Sequence, residues 1–135
     1  MTKKIVFDSF ALISVFEEEK GHERVTHLLA EIAEEKHDGF LSVVNLGEVY
    51  YMLFRKRGKE RAELALHSVF QMPLEIINAD VALTYEAAKL KANYKMSYAD
   101  AFAGALTIAK KGTLITGDKE FKHLAGETNF KVEFI

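Results

Sequence analysis

The sequence predicts an α/β fold in which a parallel sheet has helices on both of its faces. Short apolar runs, typical of buried strands, alternate with longer segments whose apolar residues recur every three to four positions, as on one face of a helix. Because long helical segments separate successive strands, we expect the strands to run parallel, with the helices as crossover connections. The predicted strands are Lys4–Phe7, Phe40–Val43, Leu74–Ile77, Thr113–Thr116 and Lys131–Phe134.

The helices are predicted from this spacing together with the residues that begin or end them. Gly21 and Gly58 are expected to end helices, whereas Asp80 and Ser97 are expected to begin them. The clearest apolar face lies on the third helix and consists of Leu46, Val49, Tyr50, Leu53 and Phe54. The predicted helices are Ser9–Lys20, Glu23–Lys36, a third that ends at Gly58, Lys59–Phe70, one from Asp80 to about Lys91, one from Ser97 to Gly112, and the short helix Lys119–Leu124.

The composition limits the class of protein. The 135 residues suffice for one hydrophobic core and predict a single domain over residues 1–135. Cysteine is absent, which excludes disulfides, thiolate zinc sites and cysteine nucleophiles. With a net charge of −2, the chain lacks the broad basic surface of a stand-alone nucleic-acid binder. No segment is apolar enough to span a membrane, and Asp8 interrupts the apolar run where a signal peptide would continue, so we expect a cytoplasmic protein.

Four acidic residues occupy comparable places in this pattern. Asp8 and Asp118 follow the first and fourth predicted strands, Glu48 lies early in the third helix, and Asp100 lies at the start of the helix after Ser97. In an open parallel sheet, ligands bind beyond the carboxyl ends of the strands. Asp8, Glu48 and Asp118 are therefore expected at that edge, and Asp100 can reach it from the side.

Each acid also has an ordinary structural interpretation. Asp8 and Asp118 are good helix N-caps, and Asp100 has the spacing of a capping box with Ser97. Glu48 lies off the apolar face of its helix, as a solvated surface residue would. The alanine-rich helix after Asp100 has almost no polar face, however, which predicts that the start of this helix is buried.

The four acids together favour a metal site over four separate caps. Carboxylates that meet at one edge repel one another, which raises the pKa of some of them unless a cation is bound. Ligation by oxygen atoms alone suits Mg²⁺ or Mn²⁺. Such a site can hydrolyse phosphodiesters.

Four sequence motifs, taken in order, resemble those of a known family. They are Asp8-Ser9 after an apolar strand, Asn45-Leu46-Gly47-Glu48, Ser97-Tyr98-Ala99-Asp100-Ala101, and Thr116-Gly117-Asp118 before Phe121. Each fragment is common alone, but their order and spacing over the whole chain resemble the PIN-domain ribonucleases, and the VapC-type toxins of toxin–antitoxin pairs in particular.

This resemblance implies a Rossmann-like parallel sheet and an acidic pocket that binds one or two Mg²⁺ or Mn²⁺ ions. It also implies endonucleolytic cleavage of RNA, a homodimer, and inhibition by a small antitoxin protein. The residues that match the family's catalytic and metal-ligand set are Asp8, Glu48, Asp100 and Asp118. Ser9 and Thr116 match positions whose hydrogen bonds orient those ligands.

Two charged segments could favour or oppose an RNA ligand. The basic run Arg55–Arg61 either complements the end of a helix dipole or contacts phosphates or an antitoxin. The glutamates Glu17–Glu19, Glu34 and Glu35 would weaken RNA binding, so we expect them on a surface turned away from its path.

Other functions remain open at this stage. A receiver-like signalling domain is also a small parallel α/β fold with an acidic Mg²⁺ pocket. It needs paired acids after the first strand and an acid at the end of a middle strand, whereas the first strand here is followed by Asp8 alone. A PIN fold used for RNA processing or for binding, outside a toxin–antitoxin pair, is a further alternative.

Overall fold

Five parallel strands form one sheet in the computed structural model, which describes residues 2–127 and 130–135. The strand order is β3-β2-β1-β4-β5. The strands are β1 (Lys4–Phe7), β2 (Asp38–Ser42), β3 (Glu75–Ile77), β4 (Thr113–Thr116) and β5 (Lys131–Phe134). The predicted parallel α/β fold is confirmed, and β1, β4 and β5 have the predicted bounds.

The helices follow the predicted order, with differences at their ends. They are α1 (Ser9–Glu17), α2 (His22–Ala33), α3 (Val43–Arg57), α4 (Lys59–Gln71), α5 (Val81–Asn93), α6 (Tyr98–Lys110) and α7 (Lys122–Ala125), which a 3₁₀ turn at Lys119–Phe121 precedes. The prediction that Gly21 ends α1 was wrong, because Glu18 takes the left-handed conformation (φ 52°) and Gly21 instead caps the start of α2. In the described part of the chain, no helix has both the length and the apolar character needed to cross a bilayer.

The sheet separates two apolar layers, because successive side chains of a strand point to opposite faces. Ile5 and Phe7 of β1 face α1, α2, α3 and α4, whereas Val6 between them faces α5 and α6. Helix α6 is buried without interruption from Asp100 to Thr107, as its alanine-rich sequence predicts. Asp100 is thereby held against the sheet.

The order in which strands are added to the sheet reverses between β1 and β4. From β1 the chain moves outward through β2 to β3, and it then crosses to the other side to form β4 and β5. Such a switch point leaves a crevice at the carboxyl ends of the two central strands, since their connections depart to opposite sides. Asp8 follows β1 directly and Asp118 follows β4 by two residues, so both lie at this crevice.

Gly112, directly before β4, tests how tightly the central strands are packed, and Gly47 in α3 is the control. A Cβ atom at Gly112 would lie 2.5 Å from the Lys4 carbonyl oxygen, whereas one at Gly47 in α3 would meet no atom of the described residues within 4 Å. We expect Gly112→Ala to lower the free energy of unfolding by about 1–3 kcal/mol through overpacking. Gly47→Ala should raise it by about 0.5–1 kcal/mol because alanine favours the helix. Urea denaturation of both variants measures the contrast, and equal effects would contradict the register of β1 and β4.

Candidate metal centre

Three carboxylates converge beyond the ends of β1 and β4. Asp100, Asp118 and Glu120 each offer an oxygen atom, and these oxygens all lie within 4.8 Å of one another. Glu120 was not among the predicted site residues. It lies in the 3₁₀ turn after Asp118, and the spacing Asp-Lys-Glu is the signal that could have identified it, because an aspartate at a turn accepts a hydrogen bond from the amide two residues on.

Asp8 lies behind this cluster and is 1% exposed. Its Oδ1 accepts a hydrogen bond from the Ala11 amide (2.8 Å), and its Oδ2 accepts one from the Thr116 hydroxyl. Burial raises the pKa of Asp8 from 3.8 to about 7, and the nearby carboxylates of Asp118 and Glu48 add to the increase. The hydrogen bonds from Thr116 and Ala11 act in the opposite direction.

Asp100 has the same kind of environment on the other side of the cluster. It is 8% exposed, and burial raises its pKa from 3.8 to about 8. The neighbouring carboxylates of Asp118 and Asp8 raise the pKa further. Asp118 thus acts on both buried acids and lies at the centre of the site, where a bound cation would relieve most of the repulsion.

Glu48 reaches the site from α3. It is half-buried and lines one cavity of about 460 Å³ together with Asp100, Asp118 and Glu120. The hydroxyl of Tyr51 donates a hydrogen bond to Glu48 Oε2 over 3.4 Å. The structure therefore places Asp8, Glu48, Asp100 and Asp118 in one region, and their catalytic and metal-binding roles stay a prediction.

The capping interpretations of Asp8 and Asp118 also hold. Asp8 caps α1, and Asp118 Oδ1 accepts a hydrogen bond from the Glu120 amide (2.9 Å) at the start of the 3₁₀ turn. Ser97 caps α6 by accepting a hydrogen bond from the Asp100 amide (3.1 Å). A carboxylate offers about four acceptor positions, so the caps leave lone pairs free and fix where they point.

Thr116 and Ser9 connect the elements that carry the acids. The Thr116 hydroxyl donates to Asp8 and accepts from the Asp118 amide (2.9 Å), so one side chain links the ends of β1 and β4. Ser9 instead bonds to Asn45: it donates to the Asn45 carbonyl oxygen (3.3 Å) and accepts from Asn45 Nδ2 (3.0 Å).

Asn45 was quoted in a motif but not predicted as a site residue. It is fully buried, and its Nδ2 bonds both to Ser9 and to the carbonyl oxygen of Ala99 (3.2 Å), beside Asp100. These bonds join α1, α3 and α6, the three helices that follow or carry predicted acids. Among the described residues, Asn45 Oδ1 is buried without a hydrogen-bond partner. The polar Asn45 inside an otherwise apolar helix start was the sequence signal.

The basic run is engaged in part within the fold. Glu17, whose side chain is 4% exposed, pairs with Lys56 Nζ (3.1 Å) and Arg57 Nε (3.1 Å). Burial opposes ionisation of Glu17, but the hydrogen bonds from these two cations hold its pKa below the ordinary value. Glu19, which we expected to face away from the site, lines the same cavity as the acids, because the chain turns at Glu18 as α1 ends.

The donor set fits a hard divalent cation. In residues 2–127 and 130–135, none of Asp8, Glu48, Asp100, Asp118 and Glu120 forms an ion pair with a basic side chain. When ionised, clustered carboxylates without a basic partner carry uncompensated charge, and all-oxygen sites of this kind suit Mg²⁺ or Mn²⁺.

The sequence also matches a family model. Residues 5–127 match the model of the PIN domain, which is most of the chain. The chain belongs to the PIN-domain family. The resemblance found in the four motifs is thereby confirmed. A comparison with curated proteins finds no match.

Solved structures share this PIN fold over nearly their whole length. VapBC2 from Rickettsia felis, solved bound to a DNA fragment from its promoter, has a TM-score of 0.75 at 18% identity, covering 98% of each chain. VapC20 from Mycobacterium tuberculosis, a toxin that cleaves the sarcin–ricin loop, has a TM-score of 0.73 at 18% identity, covering 93% of this chain and 97% of that one. A toxin–antitoxin complex from Klebsiella pneumoniae has a TM-score of 0.65 at 22% identity, covering 97% and 99%. Identities this low establish a shared fold alone.

The raised pKa values of Asp8 and Asp100 predict how the metal-free protein responds to pH. Their folded-state pKa values of about 7 and about 8 exceed the ordinary value of 3.8. Between pH 3.8 and about 8, the folded protein therefore binds more protons than the unfolded chain. Their contribution to stability is complete below pH 3.8 and is lost as the pH rises through about 8.

Urea denaturation of the original protein and of Asp100→Asn, in the presence of a chelator, measures this dependence at about pH 5.5 and about pH 8.5. Asp100→Asn should gain stability relative to the original protein as the pH rises, because the amide cannot ionise. Mn²⁺ should stabilise the original protein more at the higher pH, where it does not compete with protons. If the stability of the two proteins depends on pH in the same way, the pKa of Asp100 is not raised in the folded protein.

The position of Glu120 predicts that it binds the metal, a role that the motifs in the sequence did not indicate. Glu120→Gln removes one of three converging carboxylates, so the affinity for Mn²⁺ should fall by about ten-fold or more in calorimetric titration. Glu60→Gln, an exposed change in α4 with the same loss of charge, is the control and should leave the affinity unchanged. Equal affinities for all three proteins would place Glu120 outside the metal's reach.

Proposed function

We propose that this protein is a Mg²⁺- or Mn²⁺-dependent endoribonuclease and the toxin of a toxin–antitoxin pair. The observation that carries the proposal is the convergence of Asp8, Asp100 and Asp118 at the switch point of the sheet, where two of the three are buried and have raised pKa values. A fold tolerates such repulsion where a function requires it. The membership of the PIN family supports the nuclease assignment.

The carboxylates of Asp8, Asp100, Asp118 and Glu120 would hold the ion. When bound, such an ion lowers the pKa of a water molecule and stabilises the negative charge that develops on the phosphate. Hydrolysis joins the water oxygen to phosphorus, breaks one P–O bond of the RNA, and protonates the departing ribose oxygen. Glu48, half-exposed in the same cavity, would accept the proton from water, and the hydrogen bond from Thr116 would keep Asp8 oriented.

The receiver-like alternative is less compatible with the strand ends. Asp8 is followed by Ser9, so there is no acidic pair after β1. Strand β2 ends at Ser42, and β3 ends at Ile77, which Asn78 follows, so neither supplies a phosphoacceptor aspartate. A metal-dependent nuclease needs only that the acids lie close together, as Asp8, Asp100 and Asp118 do.

The toxin role rests on the nature of the similar structures. The structure from Klebsiella pneumoniae is a toxin–antitoxin complex, and VapC20 from Mycobacterium tuberculosis is a toxin. By analogy we propose a small antitoxin partner and a homodimer for this chain. Exposed Val81 and Tyr85, four residues apart on α5, offer apolar surface of the kind that such contacts use. A short reading frame for an antitoxin beside the gene is the simplest supporting observation.

Substitution of the buried acids tests the nuclease proposal. The purified protein should cleave a mixed pool of tRNA and rRNA with Mg²⁺ or Mn²⁺ and stop when a chelator is added. Asp8→Asn and Asp100→Asn should each lower the rate by roughly two orders of magnitude, since each removes a charge from the metal site.

Asp38→Asn is the matched control, because Asp38 is an exposed aspartate at the start of β2, at the opposite edge of the sheet. It should keep full activity. If all four proteins cleave RNA equally, the activity belongs to a contaminating nuclease and the proposal fails.

A further inference from the structure

The cavity that holds the acids continues as a groove between α1 and α3. Helix α3 contributes Glu48, Met52 and Lys56, which lie four residues apart and therefore share one helix face. At 1.5 Å per residue, the backbone distance from Glu48 to Lys56 is about 12 Å. The groove thus presents an acid, an apolar side chain and a cation in a line that leads away from the metal centre.

The opposite wall of this groove is apolar and partly open. It includes Phe10 and Ile13 of α1. Phe10 and Met52 are each 43% exposed, although both are large apolar side chains. Neither belongs to the hydrophobic core, and an aromatic ring and a flexible thioether that line the same cavity are surfaces on which a nucleobase can stack or pack.

Lys56 is the single basic residue in the described lining of this cavity, whose other charged residues are all acidic. Its ammonium pairs with Glu17, but Arg57 also bonds Glu17, through Nε to both carboxylate oxygens (3.1 and 3.2 Å). Arg57 can therefore hold Glu17 alone. The Lys56 side chain is 55% exposed, and Glu17 keeps its bonds to Arg57 when Lys56 turns to another anion.

We propose that this groove binds the single-stranded RNA that flanks the scissile bond, with a base against Phe10 and Met52 and a phosphate on Lys56. A stacked strand carries one phosphate per roughly 3.4 Å of its axis, so about 12 Å corresponds to no more than three or four nucleotides. The inference rests on the proposed function and adds to it a defined substrate path and a positioning residue.

The charge order favours RNA over a peptide in this groove. A basic peptide would suit the acids but would be repelled at Lys56, whereas a nucleic-acid strand meets a metal at one end and a cation at the other. Glu19, which also lines the cavity, follows the end of α1 and would repel phosphates. It therefore limits how far along α1 the strand extends.

The test compares two substrates of one active site. Hydrolysis of an oligoribonucleotide that spans the groove is measured beside hydrolysis of a small chromogenic phosphodiester that cannot reach Lys56. Lys56→Gln should lower the ratio of the two kcat/KM values by about five- to ten-fold, as expected for one charge-assisted contact at a partly exposed site. Lys56→Arg should restore most of that ratio.

Arg57→Gln is the matched control. It removes the same charge and the same Glu17 partner from the same turn of α3, but Arg57 does not line this cavity. Its ratio should stay within about two-fold of the original, which separates a contact with RNA from a loss of helix stability. A plot of log(kcat/KM) for the oligoribonucleotide against log[salt] should also become shallower by about 0.7 in Lys56→Gln, and in that variant alone.

The outcomes separate this inference from the proposed function. If the original protein hydrolyses neither substrate, the proposed function fails and the substrate path fails with it. If it hydrolyses both but Lys56→Gln leaves the ratio and the salt slope unchanged, only the path is overturned, and the groove is open to a protein partner instead. An equal loss in Arg57→Gln would likewise reduce Lys56 to a structural ion pair.

Discussion

The burial of Asp8 at the end of the central strand is the constraint on which the site depends. A carboxylate that is 1% exposed is unfavourable when ionised, and here two hydrogen-bond donors hold it, while within residues 2–127 and 130–135 it forms no ion pair with a basic side chain. The Ala11 amide and the Thr116 hydroxyl keep it oriented without neutralising it. Because Thr116 also accepts from the Asp118 amide, the position of Asp8 determines where the loop after β4 places its acid. The remaining carboxylates gather around this fixed point.

The same bonds serve folding and the proposed chemistry. The caps at Asp8 and Asp118 satisfy backbone amides at the starts of α1 and of the 3₁₀ turn. Asp118, capped in this way, also lines the crevice, and Asp8 lies directly behind it. The structural and functional interpretations of these residues are therefore not alternatives. Fixed carboxylates reorganise little when a cation binds, so much of the electrostatic repulsion in the metal-free protein becomes binding free energy for the metal.

The sequence predicts features that local patterns determine. The bounds of β1 and β4 and the cap at Asp8 follow from apolar runs and from capping chemistry, and the order of the motifs indicated the family. Glu120 escaped prediction because its place depends on a 3₁₀ turn rather than on a regular helix. The contact of Asn45 with Ala99 joins residues 54 positions apart, and no local pattern records such a contact.

The central claim is that these carboxylates form a divalent-metal site at the switch point of the sheet. Anomalous diffraction from crystals of the protein grown with MnCl₂ tests it most directly. We predict a strong manganese peak within about 2.5 Å of carboxylate oxygens of Asp100 and Asp118, next to Asp8. A map with no peak at this crevice, at a Mn²⁺ concentration that supports RNA cleavage, would contradict the account.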